Sequence, residues 1–212
     1  MPESIAGITV PDSALAREAT ELVREATEDL LFHHSRRVYL FGALQGRRLG
    51  LEVDAELLYV GAMFHDLGLT PRYRRDDQRF EIDGADEARR FLLAHGVPQP
   101  RAHAVWQAIA LHTTPEVPWH LEPEIALVTA GVETDVLGVG YQDLDREDVA
   151  AVTAAHPRPG FKRAIVDAFA EGFRHRPDTT FGTVNGDVLE HRVPGYRHVD
   201  FVEVIEGSAW PE

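Results

Sequence analysis

The apolar positions of the chain recur with the period of an α-helix. In residues 13–31 leucine, valine and alanine share one side, which predicts an amphipathic first helix. A second helix is predicted over 33–46, where His34, Val38 and Phe41 share a stripe. Further helices are predicted over 55–67, 84–95, 101–112, 122–137, 145–155 and 161–175. Strand-like alternation is nearly absent, so the pattern predicts an all-α helical bundle.

Residues at the ends of these segments predict where the helices start and stop. Asp54 and Asp83 are expected to cap the amino ends of the third and fourth helices. Gly68 and Gly96 are expected to end those same helices. Pro100 suits the first turn of the fifth helix.

The carboxy-terminal region differs from the rest. Asn185-Gly186 stands between short β-prone runs, which predicts a short β-hairpin. From residue 177 onward, prolines and turn residues predict an irregular tail. We therefore expect one helical domain over 1–176, with the tail 177–212 packed on it.

Composition narrows the function classes. The 212 residues contain no cysteine, which excludes disulfides and thiolate metal sites. The net charge of −14 disfavours general nucleic-acid binding, although local arginines could still hold a small anion. No signal peptide or membrane span is evident, so a cytoplasmic protein with a small-molecule substrate is expected. Helical enzymes of this size often form homo-oligomers, and the sequence leaves the oligomeric state open.

Four ionisable residues lie on, or at the end of, apolar helical stripes: His34, His65, Asp66 and Asp135. Burying two imidazoles with two carboxylates is costly unless a cation organises them. Imidazole and carboxylate together suit Zn²⁺, Fe²⁺ or Mn²⁺. For His65-Asp66 alone, a structural interpretation, such as a capping aspartate beside a core histidine, is favoured over a metal site.

The order His, then His-Asp, then Asp on successive helices resembles the HD-domain superfamily of metal-dependent hydrolases, and within it the cyanamide hydratase-like branch. The matching segments are HHSRRVYLFG (33–42), GAMFHDLGLT (61–70), RFEIDGADEARRFL (79–92), VWQAIALHT (105–113), GVETDVLG (131–138) and HPRPGFKRAI (156–165). The resemblance implies a single HD domain. It also implies one divalent metal ion, with Zn²⁺ ahead of Fe²⁺ and Mn²⁺, bound by His34, His65, Asp66 and Asp135. The additional ligand pairs of the cyclic-dinucleotide phosphodiesterases are missing, which argues against a second metal.

The resemblance also implies a reaction. A metal-bound hydroxide would add to a C≡N group, converting cyanamide to urea. Asp66 would accept a proton from the bound water, and His112 would supply one to the developing nitrogen anion. Without the resemblance, His112 would be interpreted as a core histidine.

Three other residues are candidates for the substrate side. Thr113 follows His112 and would line the same pocket. Glu81 is either a partner of a ligand histidine or an exposed acid. Arg37 either holds a substrate oxygen or pairs with Glu81 or Asp66. His33 could in principle replace its neighbour His34 as a ligand, but it points to a different helical face.

Two other functions compete with a hydratase. A phosphohydrolase for a nucleotide or small phosphate ester would use several cations around the phosphate. The chain offers only Arg37 and Arg79 near the motifs, which disfavours this alternative. A helical binding module with a structural metal would have a closed coordination sphere.

Overall fold

The computed structural model describes residues 3–210, whose regular secondary structure is almost entirely helical. The α-helices are Ala14–Ala26 (α1), Asp29–Leu49 (α2), Ala55–Phe64 (α3), Phe80–Ala94 (α4), Gln99–Leu111 (α5), Pro123–Val132 (α6), Arg146–Ala155 (α7), Phe161–Phe173 (α8), Asn185–Arg192 (α9) and Phe201–Glu206 (α10). The only β-structure in this range is an antiparallel pair, Ser4–Ile5 (β1) with Ile8–Thr9 (β2). The all-α prediction is thus confirmed. No helix of the described range is both long and apolar enough to cross a bilayer.

The first predicted helix is two helices in the structure. Thr27 and Glu28 have extended backbone angles, with ψ of 154° and 165°, and they separate α1 from α2. The Thr27 hydroxyl donates to the carbonyl of Val23 and so satisfies an acceptor at the end of α1. This break turns the chain, so that α2 can run through the core with His34 near its start.

Of the five predicted helix ends, three are confirmed and two are wrong. The Asp54 carboxylate accepts the backbone N–H groups of Glu56 and Leu57 at 2.9 and 3.1 Å. Asp83 does not cap α4, because that helix already begins at Phe80. The Asp83 side chain is buried instead and pairs with Arg176.

Gly68 has a different task from the one predicted. Helix α3 ends at Phe64, and Gly68 lies beyond it in the 3-10 turn Leu67–Leu69. A Cβ atom on Gly68 would collide with the carbonyl oxygen of Phe80. Glycine is therefore required here for close packing of this turn against the start of α4.

The predicted β-hairpin is wrong, because Asn185 and Gly186 begin helix α9. The helical form buries Leu189 completely against α8 and the turn that follows α3. A hairpin would leave Leu189 exposed. The helix is therefore favoured, although the Asn-Gly sequence is typical of a hairpin turn.

The core has two parts. The larger part is enclosed by α1 to α6, with α2 packed across α3 and α6. A smaller cluster joins Leu69 and Phe80 to α8 and α9. The candidate site lies where the two parts meet.

Candidate metal centre

Three polar side chains converge in the interior from two helices. His34 lies in the second turn of α2, His65 caps the end of α3, and Asp66 follows it directly. All three are at most 1% exposed. His65 Nε2 lies 3.2 Å from His34 Nε2 and 3.3 Å from Asp66 Oδ2, and His34 Nε2 lies 3.6 Å from the same oxygen. The end of α3 therefore places His65 and Asp66 next to His34 of α2.

The hydrogen bonds of the rings fix which nitrogens are free. His65 Nδ1 lies 2.7 Å from the carbonyl oxygen of Ala62, which can only accept, so Nδ1 carries the proton. His34 Nδ1 likewise donates to Asp135 Oδ2 at 2.7 Å. Burial opposes the charge of His65, but the attraction of Asp66 outweighs it and raises the pKa of His65, so a metal ion would displace a proton from His65 Nε2. With both rings neutral, both Nε2 atoms are bare and their lone pairs face each other.

This arrangement fits a divalent metal ion. In a tetrahedral site with bonds of ~2.05 Å, neighbouring donor atoms lie about 3.3 Å apart, close to the distances found here. Both Asp66 oxygens and His112 Nε2 are buried without a hydrogen-bond partner among the described residues. Such groups are costly to bury unless something binds them. His34, His65 and Asp66 thus form a group that could hold a metal ion.

Electrostatics keeps the carboxylate ionised and His112 neutral. Burial opposes the charge of Asp66, but the attraction of His65, followed by His34 and His112, lowers its pKa to about 2. Burial, reinforced by His65, lowers the pKa of His112 to about 4. Near neutral pH the cluster therefore presents an anionic oxygen donor and a neutral imidazole, the forms in which both bind metals.

Asp135 stands on the other side of the His34 ring. It lies in the π-helical turn Glu133–Leu137, and its two oxygens accept from Arg37 at 2.8 and 2.9 Å. Arg158 Nε approaches the same carboxylate at 3.3 Å. The structure thus brings Asp135 to His34 Nδ1 and not to the three converging donor atoms, and its predicted role as a ligand stays a prediction.

Arg37 is fully buried and does not line the cavity. Besides its bonds to Asp135, it donates through Nη1 to the carbonyls of His156 and Pro157 at 3.2 and 3.1 Å. It therefore holds the Asp135 turn and the α7–α8 connection together. Each guanidinium nitrogen of Arg37 already donates within the protein, so this placement differs from the predicted contact with a substrate oxygen and from the predicted pair with Glu81 or Asp66.

The two histidines next to this network are structural. His33 Nδ1 lies 3.1 Å from His156 Nδ1, which confirms that His33 points away from the cluster. His156 is buried and accepts from Arg36 Nε at 3.3 Å.

The predicted substrate residues form a second group beside the cluster. His112 Nδ1 donates to the carbonyl of Ile109 at 2.6 Å, which leaves Nε2 bare and 3.7 Å from Asp66 Oδ1. Thr113 lines the cavity and donates to Glu81 Oε1 at 2.6 Å. Glu81 is fully buried, which excludes the exposed-acid interpretation.

Asn185 is a site residue that the sequence interpretation missed. Its amide nitrogen donates to Glu81 Oε1 at 3.1 Å, and the residue lines the cavity from the start of α9. The sequence interpretation assigned Asn185 to a hairpin turn, and no pattern of neighbouring residues indicates that it contacts Glu81. The carboxy-terminal region thus contributes a wall of the site.

A cavity of about 270 Å³ opens from this cluster to the surface. Its floor is formed by the buried residues His34, His65, Asp66 and His112, whereas Leu137, on the opposite side, is exposed. Among the residues that the structure describes, no arginine or lysine lines it. A small molecule could therefore reach the candidate metal position through mostly apolar surroundings.

Fold and site together define an all-α protein with a candidate metal centre at the floor of a cavity. The model of the HD domain family matches residues 31–164, and the chain belongs to that family. Membership implies metal-dependent hydrolase chemistry. Over 47 residues the chain is also 43% identical to the DNA double-strand break repair protein Mre11 of Haloferax volcanii. That match covers 22% of this chain and 11% of that protein, so it carries no functional argument.

Proposed function

We propose that the protein is a mononuclear metal-dependent hydratase or hydrolase for a small uncharged molecule. Addition of water to a C≡N group, as in the conversion of cyanamide to urea, is the reaction proposed. The observation that carries the proposal is the position of the three donor groups at the floor of a cavity without cationic walls. Zn²⁺ is the proposed ion, because two imidazoles and one carboxylate are a frequent catalytic zinc set.

A divalent metal bound by His34, His65 and Asp66 would supply Lewis-acid activation of water near neutral pH. His112 Nε2 is a bare acceptor on the cavity floor, so it can take the proton that water loses as the C–O bond forms. The protonated ring can then return this proton to the nitrogen of the C≡N group. His112 thus acts first as base and then as acid, whereas the sequence suggested only a donor.

The phosphohydrolase alternative is less well supported. A phosphoryl group is stabilised by several cations around its oxygens. The cavity lining contains the acids Asp66 and Glu133 but no arginine or lysine, and Arg37 is committed to Asp135. Arg79 pairs with the buried Glu81 and does not line the cavity, so a phosphate dianion would meet few cations besides the metal.

Parallel assays of the metal-loaded protein test the proposal. The expected result is urea formation from cyanamide, abolished in His65→Ala and retained in His103→Ala, whose side chain is exposed away from the cavity. Metal content measured on the same samples should fall only in His65→Ala. Release of phosphate from a panel of phosphate esters, without urea formation, would establish the alternative instead.

A further inference from the structure

The cavity is larger than cyanamide needs. Its volume of about 270 Å³ corresponds to at least ~9 water molecules at ~30 Å³ each. Cyanamide has only three non-hydrogen atoms and would fill ~2 of these volumes, and the reacting water about one more. Most of the cavity would stay empty above such a substrate.

The unfilled part is apolar. Helix α8 contributes Ile165, Val166 and Phe169, and the tail contributes Val184 and Val188. Water in such surroundings finds few hydrogen-bond partners, so its displacement by an apolar group is favourable. The walls therefore suit a hydrocarbon group much better than a second polar group.

The charged groups of the cavity also restrict the substrate. Asp66 lies at the floor, and Glu133 on the wall accepts a hydrogen bond from the Trp119 indole at 3.2 Å. No lysine or arginine lines the cavity to balance an anionic group. A substrate arm that ends in a carboxylate would meet Glu133 and an apolar wall, with no cation to pair with.

Resting on the proposed function, we infer that the substrate is an uncharged molecule whose reactive polar head carries an apolar arm. At the ratio used for cyanamide, three non-hydrogen atoms to ~2 water volumes, the remaining ~6 volumes hold an arm of up to about nine non-hydrogen atoms. Short branched alkyl and phenyl groups fit this range. Val188, on the face of α9 that meets α8, is the residue through which the tail selects this arm.

Binding of hydroxamates to the metal-loaded protein tests the inference separately from the reaction. The head that binds the metal is constant along the series, and only the arm changes. Calorimetry should show the affinity rising about fourfold per methylene from acetohydroxamate to hexanohydroxamate, as expected for burial of each CH₂ group. Adipic monohydroxamate, which has a carboxylate at the tip of a similar chain, should bind at least tenfold more weakly than hexanohydroxamate.

Two matched variants localise the effect. Val188→Thr should weaken binding of hexanohydroxamate severalfold and leave acetohydroxamate unchanged, because only the longer arm reaches α9. Val202→Thr makes the same change on α10, at an exposed position that does not line the cavity, and should alter neither. Equal affinities along the series, or equal binding of the carboxylate-tipped member, would overturn the inference. A rising series in a protein that hydrates no cyanamide or alkyl nitrile would instead refute the proposed reaction and leave the apolar arm standing.

Discussion

Asp66 and Asp135 are both buried carboxylates, and they are compensated in different ways. Asp135 accepts hydrogen bonds from Arg37 and His34 at 2.7 to 2.9 Å. Asp66 has no hydrogen-bond partner within residues 3–210 and is held only by nearby imidazoles. The Asp66 oxygens are therefore available to bind a metal ion. The Asp135 oxygens are already hydrogen-bonded, and one of them fixes the orientation of the His34 ring, as a carboxylate often does for a metal-binding histidine.

The first prediction concerns that orienting contact. Asp135→Asn weakens the acceptor for His34 Nδ1, so metal affinity should fall about 10- to 100-fold, the usual cost of losing such a partner. His65→Ala removes a donor atom and should cost more. Competition with a chromogenic chelator measures both. An Asp135→Asn protein as deficient as His65→Ala would show that Asp135 is itself a ligand, and unchanged affinity would exclude both roles.

The second prediction concerns His156. Burial, followed by the positive charge of Arg36, lowers the pKa of His156 to about 3. In the unfolded chain it is ~6.5. The unfolded state therefore binds more protons between these values, and the contribution of neutral His156 is complete above pH 6.5 and lost as the pH falls toward 3. The free energy of unfolding should decrease by up to about 1.4 kcal/mol per pH unit from this group.

Urea denaturation of wild type and His156→Gln between pH 4.5 and 7.5 checks this dependence. The difference between the two curves should slope only below pH 6.5, which separates His156 from the carboxylates common to both proteins. His120→Gln alters an exposed histidine and serves as the control. Parallel curves for wild type and His156→Gln would contradict the prediction.

At the scale of helices, the sequence predicted the structure where the apolar pattern and the capping residues favoured the same conformation. The apolar stripe containing His34 predicted the central part of α2 correctly, and the Asp54 cap predicted the start of α3 correctly, because the period and the cap favour a helix there. Local signals failed at Asp83 and Asn185, whose positions depend on Arg176 and Glu81, about a hundred residues away in the chain. No pattern of neighbouring residues contains such contacts.

The third prediction tests the contact between α4 and the start of the tail. Arg176 pairs with Asp83 and also donates to the carbonyls of Gly68 and Gly172 at 2.7 and 3.1 Å. Both charges are fully buried. Arg176→Met would leave the Asp83 carboxylate without its cation, and the free energy of unfolding should fall by about 3–5 kcal/mol.

Two companion variants make this result specific. Asp83→Leu combined with Arg176→Met should recover much of the loss, because no buried charge then remains unpaired. Arg174→Met removes an exposed pair with Glu171 and should change stability by less than about 1 kcal/mol. Equal decreases in the free energy of unfolding in Arg174→Met and Arg176→Met would show that the buried ion pair contributes no more to stability than the exposed one.

At the scale of the whole molecule, the candidate metal position joins the two parts of the core. His34 and His65 come from the helices around the larger part, while part of the cavity wall comes from α8 and α9 around the smaller part. The tail is therefore connected to the site twice, through Asn185 to Glu81 and through Val188 to the cavity. A ligand bound at the cavity floor would contact both parts of the core, so the two parts should unfold together when it is bound.

The fourth prediction follows from this position. The donor atoms meet only in the folded chain, so a metal ion binds the native state and stabilises it by mass action. At a free Zn²⁺ concentration of about 100 times Kd the gain is about 2.7 kcal/mol, which corresponds to a rise in Tm of about 5–10 °C for a domain of this size. Mn²⁺ and Fe²⁺ can be compared in the same thermal scans.

Asp66→Asn is the informative comparison for these scans. The amide has nearly the shape of the carboxylate but lacks its charge, so the apo protein should keep its fold while the metal-dependent rise in Tm is largely lost. Because both parts of the core meet at the site, the wild-type protein should unfold in one transition whose midpoint moves as a whole with metal concentration. A rise of the same size in Asp66→Asn would place the bound ion elsewhere on this acidic chain. Two transitions, of which only one responds to metal, would show that the tail and α8 unfold independently of the site.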